Sequence, residues 1–338
     1  MSPSTIFSVR SASQFEKAAI EIFCLQAKSN PIYKSYVEQL GVDPANVKSV
    51  GQIPFLPVEF FKAHRIVTKA GSQGTGKKKN FMSSGTTGGE RSKHFVSDIK
   101  LYEESFRRCF KLFYGDVKKY SILAFLPSYY ENKNSSLLYM VNDLMKRSGK
   151  RESRFYKANE QAVLFKTMNK LLTEEKKVIL WGVSHALLDL TPNPSPPGEG
   201  RQPRWRGEVI VLETGGMKGR KVEITREELH KSISEKFGVK KIHSEYGMTE
   251  LLSQAYSKGE GIFNCPPWMK ILIRDPNDPF LFLPSGKTGA INVIDLANIN
   301  SCSFIATQDV GRVHKDGSFE VLGRMDNSDL RGCNLLAQ

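Results

Sequence analysis

The sequence has 338 residues, with Lys+Arg 49 against Asp+Glu 35 and a formal net charge of +14. Hydrophobic residues make up 40%, charged residues 25% and aromatic residues 10%, which excludes global disorder, a collagen-like repeat and a coiled coil, and leaves one large α/β domain or two ordinary ones. No apolar run approaches the ~18 residues that span a bilayer, and no secretory leader is expected from the start MSPSTIFSVRSASQFEK.

Five cysteines (Cys24, Cys109, Cys265, Cys302, Cys333) lie far apart without a CxxC, which argues against a zinc ribbon and a disulfide framework. A cytoplasmic chain with reduced thiols is the expectation. The positive charge fits nucleic acid, an anionic membrane surface, an acidic protein or a solvated basic surface, and its clusters are short: Lys77 to Lys79, Arg107 with Arg108, and Lys146 to Arg154.

Along the chain, Ser13 with Glu16 reads as a capping box, and Phe15, Ala19, Ile22 and Phe23 fall on one face, so a helix opens the chain. Pro54 and Pro57 then break IPFLPVEFFK into a connector. From Asp98 onward helix-like and strand-like segments alternate. Asp98 to Phe113, Ser135 to Lys146 and Ala158 to Leu172 read as helices. Ser121 to Leu126, Val178 to Gly182 and Glu208 to Glu213 read as buried strands. A capping box of Thr225 with Glu228 opens a helix to about Phe237, and KKIHSEYG enters another strand and turn. Short apolar strands between such helices predict a parallel sheet covered on both faces. The last third, with MKILIRD, AINVIDL and SFEVLGR separated by PNDP, PSGKTG and HKDGS turns, predicts a β-meander or small barrel.

Three domain segments follow: a helical part at 1–70, an α/β nucleotide-binding body at 71–265, and a β-meander with a truncated hinge and tail at 266–338. The body carries a proline-rich insertion at 190–207, with four prolines between Pro192 and Pro197, read as an exposed loop.

Four pieces carry candidate chemistry. In Ser83-Ser84-Gly85-Thr86-Thr87-Gly88-Gly89, hydroxyls interleaved with glycines let several donors converge on one anion, such as a triphosphate. Glu213-Thr214-Gly215-Gly216 follows a buried strand, where glycines let a flat ring lie against the backbone. Tyr246-Gly247-Met248-Thr249-Glu250 offers a ring for stacking, a hydroxyl, and a carboxylate for magnesium. Thr307-Gln308-Asp309-Val310-Gly311-Arg312 precedes Gly323-Arg324-Met325-Asp326-Asn327. Two near-matches to a phosphate loop are discounted: Gly71 to Lys78 has Lys78 where Ser or Thr is needed, and PSGKTG lies between strands.

Taken in order, SSGTTG, a strand-end glycine turn, YGMTE, TQDVGR and GRMDN resemble the adenylate-forming superfamily. Within it, IPFLPVEFF, ETGGMKGR and the ending LRGCNLL look like the acyl-protein synthetase family of the bacterial luminescence operon, over about residues 5 to 336. The resemblance implies an α/β body of parallel sheets flanked by helices with a small antiparallel β subdomain, without the large C-terminal lid domain that usually follows the hinge and carries a catalytic lysine. It implies ATP and Mg as cofactors and a fatty or other carboxylic acid as substrate. The activity implied is acyl-adenylate formation followed by transfer to a thiol.

Carried over by position, Ser83, Ser84, Gly85, Thr86, Thr87 and Gly88 hold the β- and γ-phosphates. Gly215 and Gly216 line the adenine site and Tyr246 flanks the base. Thr249 touches the α-phosphate, Glu250 the magnesium, Asp309 the ribose, and Arg324 the ribose or phosphate. Cys333 is either the acylated nucleophile, its pKa lowered by Arg331, or a small buried residue. Coenzyme A or an acyl carrier protein is the alternative acceptor, and an acyl-CoA reductase or carrier protein a possible partner; a non-catalytic subunit of a reductase complex is a further alternative. Neither nucleic acid nor a membrane span is expected. Tyr129, Tyr130 and Trp181 are candidates for the acid pocket, and His185 and His243 for acid/base or pocket roles.

Overall fold

The computed structural model describes residues 3–84, 90–127, 134–190, 207–215 and 225–325. In chain order, helices α1 (Pro3–Ile6), α2 (Ala12–Ser29) and α3 (Pro31–Gln39) precede β1 (Leu56–Pro57), α4 (Phe60–Ala63) and α5 (Lys69–Gln73). Strands β2 (Lys79–Met82) and β3 (Lys93–Val96) lead to α6 (Ile99–Tyr114), β4 (Tyr120–Phe125), α7 (Ser136–Ser148) and β5 (Arg154–Phe155). Next come α8 (Gln161–Thr173), β6 (Lys177–Val183), α9 (Ser184–Asp189), β7 (Val209–Thr214), α10 (Arg226–Phe237) and β8 (His243–Tyr246). Strands β9 (Ala255–Ser257), β10 (Ile262–Asn264), β11 (Met269–Arg274), β12 (Thr288–Asp295), β13 (Phe304–Val313) and β14 (Phe319–Arg324) complete the described chain.

The chain divides into two compact units, one of residues 1–79, 94–101 and 264–338 and one of 80–93 and 102–263. In the second unit, β5, β4, β6, β7 and β8 run parallel in that order, and β9 joins β8 antiparallel. Strand β4 is buried along its whole length, and β6 along all but its first residue, as strands covered by α7, α8 and α9 must be. Helix α10 starts at the predicted capping box: Thr225 Oγ1 accepts from Glu228 N, and Glu228 Oε2 accepts from Thr225 N. The Arg107–Arg108 pair is absorbed locally, Arg107 by Glu103 and Asp143 and Arg108 by Glu104.

In the first unit, β11 to β14 form an antiparallel meander, with β1 parallel to β13. Phe23, Tyr33 and Phe304 meet at 6.1–6.2 Å between ring centroids. Buried Gln26 donates to the Asn298 and Ile299 carbonyls at 3.0 Å, tying α2 to the turn before β13. Gly311 is required at a register shift, because a Cβ there would lie 2.6 Å from Ile291 Cδ1.

Some local expectations shift. The first long helix is capped by Ser11, which accepts from Gln14 N, rather than by Ser13; Ser11 keeps extended backbone angles while Ser13 is already helical. The ten-residue β13 contains TQDVGR, so this motif lies within a strand. Gly71 sits inside α5 with its N–H bonded to Thr68 Oγ1, a helix start rather than a phosphate loop. The four described cysteines are thiols. No helix among the described residues is long and apolar enough to cross a membrane. The proline-rich residues 191–206 lie outside the described residues.

Candidate functional site

Adjacent parallel strands β7 and β8 end side by side, with Glu213 opposite Ser244 and Thr214 opposite Glu245. In such a sheet the carboxyl ends of the strands are where ligands bind. Gly215 lies just beyond β7, and Tyr246 closes β8 with the turn to Glu250 after it.

Gly215 is exposed and has φ +72°, the left-handed region that glycine enters without strain. Its carbonyl accepts from Ser184 Oγ at 2.6 Å, and the same hydroxyl lies 2.6 Å from Glu213 Oε2. Glu213 is 1% exposed. Its Oε1 accepts from Arg226 Nη1 at 2.8 Å and faces His230 Nε2 at 3.5 Å. Burial alone works to raise its pKa, but His230, Arg226, Ser184 and Ser244 together hold it below the ordinary carboxylate value. Glu213 is therefore an anion pinned from four sides at the base of the glycine turn.

Glu245 is the opposite case. Burial, reinforced by repulsion from Glu213 and opposed by the Thr214 hydroxyl, raises its pKa to about 7. Its carboxyl folds back against Gly247, where a Cβ would collide with Oε1. Tyr246 is buried and meets Phe263 edge-on at 6.0 Å. Thr249 is half-buried, and Glu250 is buried at the end of the turn.

Ser83 and Ser84 are half-buried at the entrance to the glycine-rich loop. Ser83 N donates to the Ser92 carbonyl at 3.0 Å, and Ser83 Oγ accepts from Ser92 N at 3.1 Å. This bond pair ties Ser83 to Ser92, and in it the Ser83 hydroxyl acts as acceptor. Gly85, Thr86, Thr87, Gly88, Gly216 and Cys333 lie outside the described residues, as do Tyr129, Tyr130 and Arg331.

Within the first unit, Asp309 and Arg324 are register partners on β13 and β14, with Arg324 Nε 3.5 Å from Asp309 Oδ1. Arg274, at the end of β11, is 7% exposed and donates to the Ile291 and Thr307 carbonyls and to Asn292 Oδ1 at 2.6–2.9 Å. Thr307 Oγ1 in turn accepts from Asp309 N at 3.1 Å, so Arg274 supports the strand segment that presents Asp309.

The sequence reading singled out Gly215, Tyr246, Thr249 and Glu250, and the fold gathers them at neighbouring strand ends. Glu213 and Glu245 stand inside the quoted motifs without a role of their own, and Ser184, Arg226 and Arg274 carry no motif. The signal for Glu213 was present: a carboxylate closing the otherwise apolar run VIVLE marks a buried charge that needs partners. His243 starts β8, at the far end from the turn; its ring meets Tyr114 Oη at 3.2 Å, and burial with Lys258 lowers its pKa to about 4. That ring is a hydrogen-bonded structural group. Trp181 is fully buried, and His185 follows the end of β6.

Among the described residues no three carboxylates, histidines or cysteines cluster as a metal cage. One carboxylate, Glu250, fits magnesium, which takes one or two carboxylates together with phosphate oxygens and water.

No protein-family model and no curated protein matches the sequence. Solved structures do match in fold. ATP-bound MatB from Rhodopseudomonas palustris aligns with TM-score 0.52 and 18% identity, covering 72% of this chain and 47% of that one. A 2-hydroxyisobutyryl-CoA ligase in complex with 2-HIB-AMP and CoA aligns with TM-score 0.61 and 16% identity, over 94% of this chain and 70% of that one. The chain spans about half the length of MatB. The fold is the one these two structures share with this chain.

Proposed function

We propose that this chain joins a carboxylic acid to ATP as an acyl-adenylate and passes the acyl group to a thiol. The observation that carries the reading is the placement of Gly215, Tyr246, Thr249 and Glu250 at the ends of β7 and β8, in a fold whose solved relatives hold ATP or an acyl-AMP. In the first step a carboxylate oxygen attacks the α-phosphorus and the bond to pyrophosphate breaks. In the second a thiolate attacks the acyl carbon and AMP leaves.

Both reactants of the first step are anions, so the site must supply donors and positive charge where charge accumulates. Ser83 and Ser84, with Thr86 and Thr87 beyond them, hold the β- and γ-phosphates. Thr249 donates to the α-phosphate. Glu250 would hold magnesium, which when bound would supply positive charge against the triphosphate. The base lies between the Gly215–Gly216 turn and Tyr246, Asp309 accepts from the ribose hydroxyls, and Arg324 reaches the ribose or phosphate.

The motif resemblance favours the acyl-protein synthetases, hence a fatty acid, Cys333 or a partner protein as acceptor, an acyl-CoA reductase or carrier protein as partner, and a cytoplasmic setting. Coenzyme A is the second acceptor reading, favoured by the CoA in the matching ligase complex. Acid-dependent exchange of labelled pyrophosphate into ATP, run over acids of graded chain length, tests the reading. Exchange with one chain-length class is expected, and none over the whole range would contradict it.

A further inference from the structure

Arg226 is the first residue of α10, directly after the segment that begins at Gly215. On one side its Nη1 donates to Glu213, whose other oxygen shares the Ser184 hydroxyl with the Gly215 carbonyl. On the other side its guanidinium carbon lies 5.2 Å from the centroid of the Phe263 ring, and Phe263 meets Tyr246 edge-on. Space for the side chain depends on Gly261, φ +67°, where a Cβ would lie 2.9 Å from Arg226 Cδ.

The placement has a cost. The Arg226 Nε is buried and has no hydrogen-bond partner among the described residues, an unfavourable position for a buried donor. The Arg226 side chain is 30% exposed, so a different rotamer could give that nitrogen to water. The charge-assisted bond to Glu213 and the face of Phe263 hold it in place instead.

We propose that Arg226 is a positioning residue that fixes the separation between the glycine turn and Tyr246, and so sets the site's affinity for a flat nucleobase. The inference rests on the reading of Gly215 and Tyr246 as the two walls around the base. A lysine would keep the charge toward Glu213 but lose the planar stack, so Arg226→Lys and Arg226→Ala separate the two contacts. Phe263→Leu removes the stack and leaves the ion pair.

The test is inhibition of pyrophosphate exchange by two probes, adenosine and magnesium tripolyphosphate, one carrying only the base end and the other only the phosphate end. The inhibition constant for adenosine should rise about tenfold in Arg226→Ala, the equivalent of one weakened base-stacking wall, and by less in Arg226→Lys and Phe263→Leu. That for tripolyphosphate should stay within about twofold in all three. If Arg226→Ala does not fold, Arg226→Lys and Phe263→Leu carry the test. Equal weakening of both probes would show a merely structural role and overturn the proposal, as would unchanged adenosine inhibition. Wild-type protein that neither exchanges nor is protected by ATP would instead remove the underlying reading.

Discussion

Thr214 and Glu245 are register partners on adjacent parallel strands, and the threonine hydroxyl donates to the buried glutamate carboxyl. The contact lies one residue from the Glu213 anion, and burial with that neighbouring charge lifts the Glu245 pKa from 4.5 to about 7.

A raised carboxyl pKa makes stability fall with rising pH. Between about pH 4.5 and 7 the folded chain keeps a proton that the unfolded chain has lost, and above pH 7 the buried group ionises in both. The loss across that window is on the order of 3 kcal/mol. Glu245→Gln keeps the side chain's size and an acceptor for Thr214 but has no charge to bury. The stability of the wild type relative to Glu245→Gln, measured in urea at each pH so that groups common to both such as His243 cancel, should decline from pH 5 to 8; parallel curves would contradict the assignment.

Arg274 holds three acceptors of β12 and β13 with its guanidinium buried, and burial lowers its pKa. Arg274→Met fills the volume and takes a donor from the Thr307 carbonyl and from Asn292 Oδ1, while the Ile291 carbonyl keeps Thr307 Oγ1, at a cost of about 3 kcal/mol in chemical denaturation. Amide exchange should quicken along 304–313. An unchanged denaturation midpoint would show that the strands do not depend on this cation.

Asp309 faces Arg324 across β13 and β14. As the ribose acceptor it should matter for nucleotide binding more than for turnover. Asp309→Ala is expected to raise the KM for ATP about tenfold while the KM for the acid stays within about twofold, the loss of one charge-assisted hydrogen bond. Equal changes in both constants would argue against a ribose contact.

The elements were legible wherever local chemistry decides them. Thr225 and Glu228 specify the start of α10 because both partners of the capping box lie within one turn, and the apolar runs of β4, β6 and β7 specify buried parallel strands. Ser11 and Ser13 compete for the same helix start, and only the backbone angles separate them. Motifs exposed the residues proposed to meet a ligand. They did not expose Arg226 and Arg274, because what those side chains do depends on partners distant in sequence: Glu213 and Phe263 for one, Ile291 and Thr307 for the other.

The cysteines differ in what they can do. Cys302 is fully buried, and burial pushes its thiol up to about 12, leaving a thiolate fraction on the order of one in a hundred thousand at neutral pH. Incubation with ATP and the acid should therefore give a hydroxylamine-sensitive acyl adduct that Cys302→Ala retains and Cys333→Ala loses, read by mass spectrometry of the intact chain. Retention in Cys333→Ala would move the acceptor to coenzyme A or another protein.

The central claim is attack of a carboxylate oxygen on the α-phosphorus of ATP, and isotope transfer reads that bond directly. With an acid whose carboxylate carries heavy oxygen, one labelled oxygen should appear in each AMP released after acyl transfer, with pyrophosphate as the other product. Label in inorganic phosphate together with ADP, or ATP left unconsumed across the whole acid series, would contradict it.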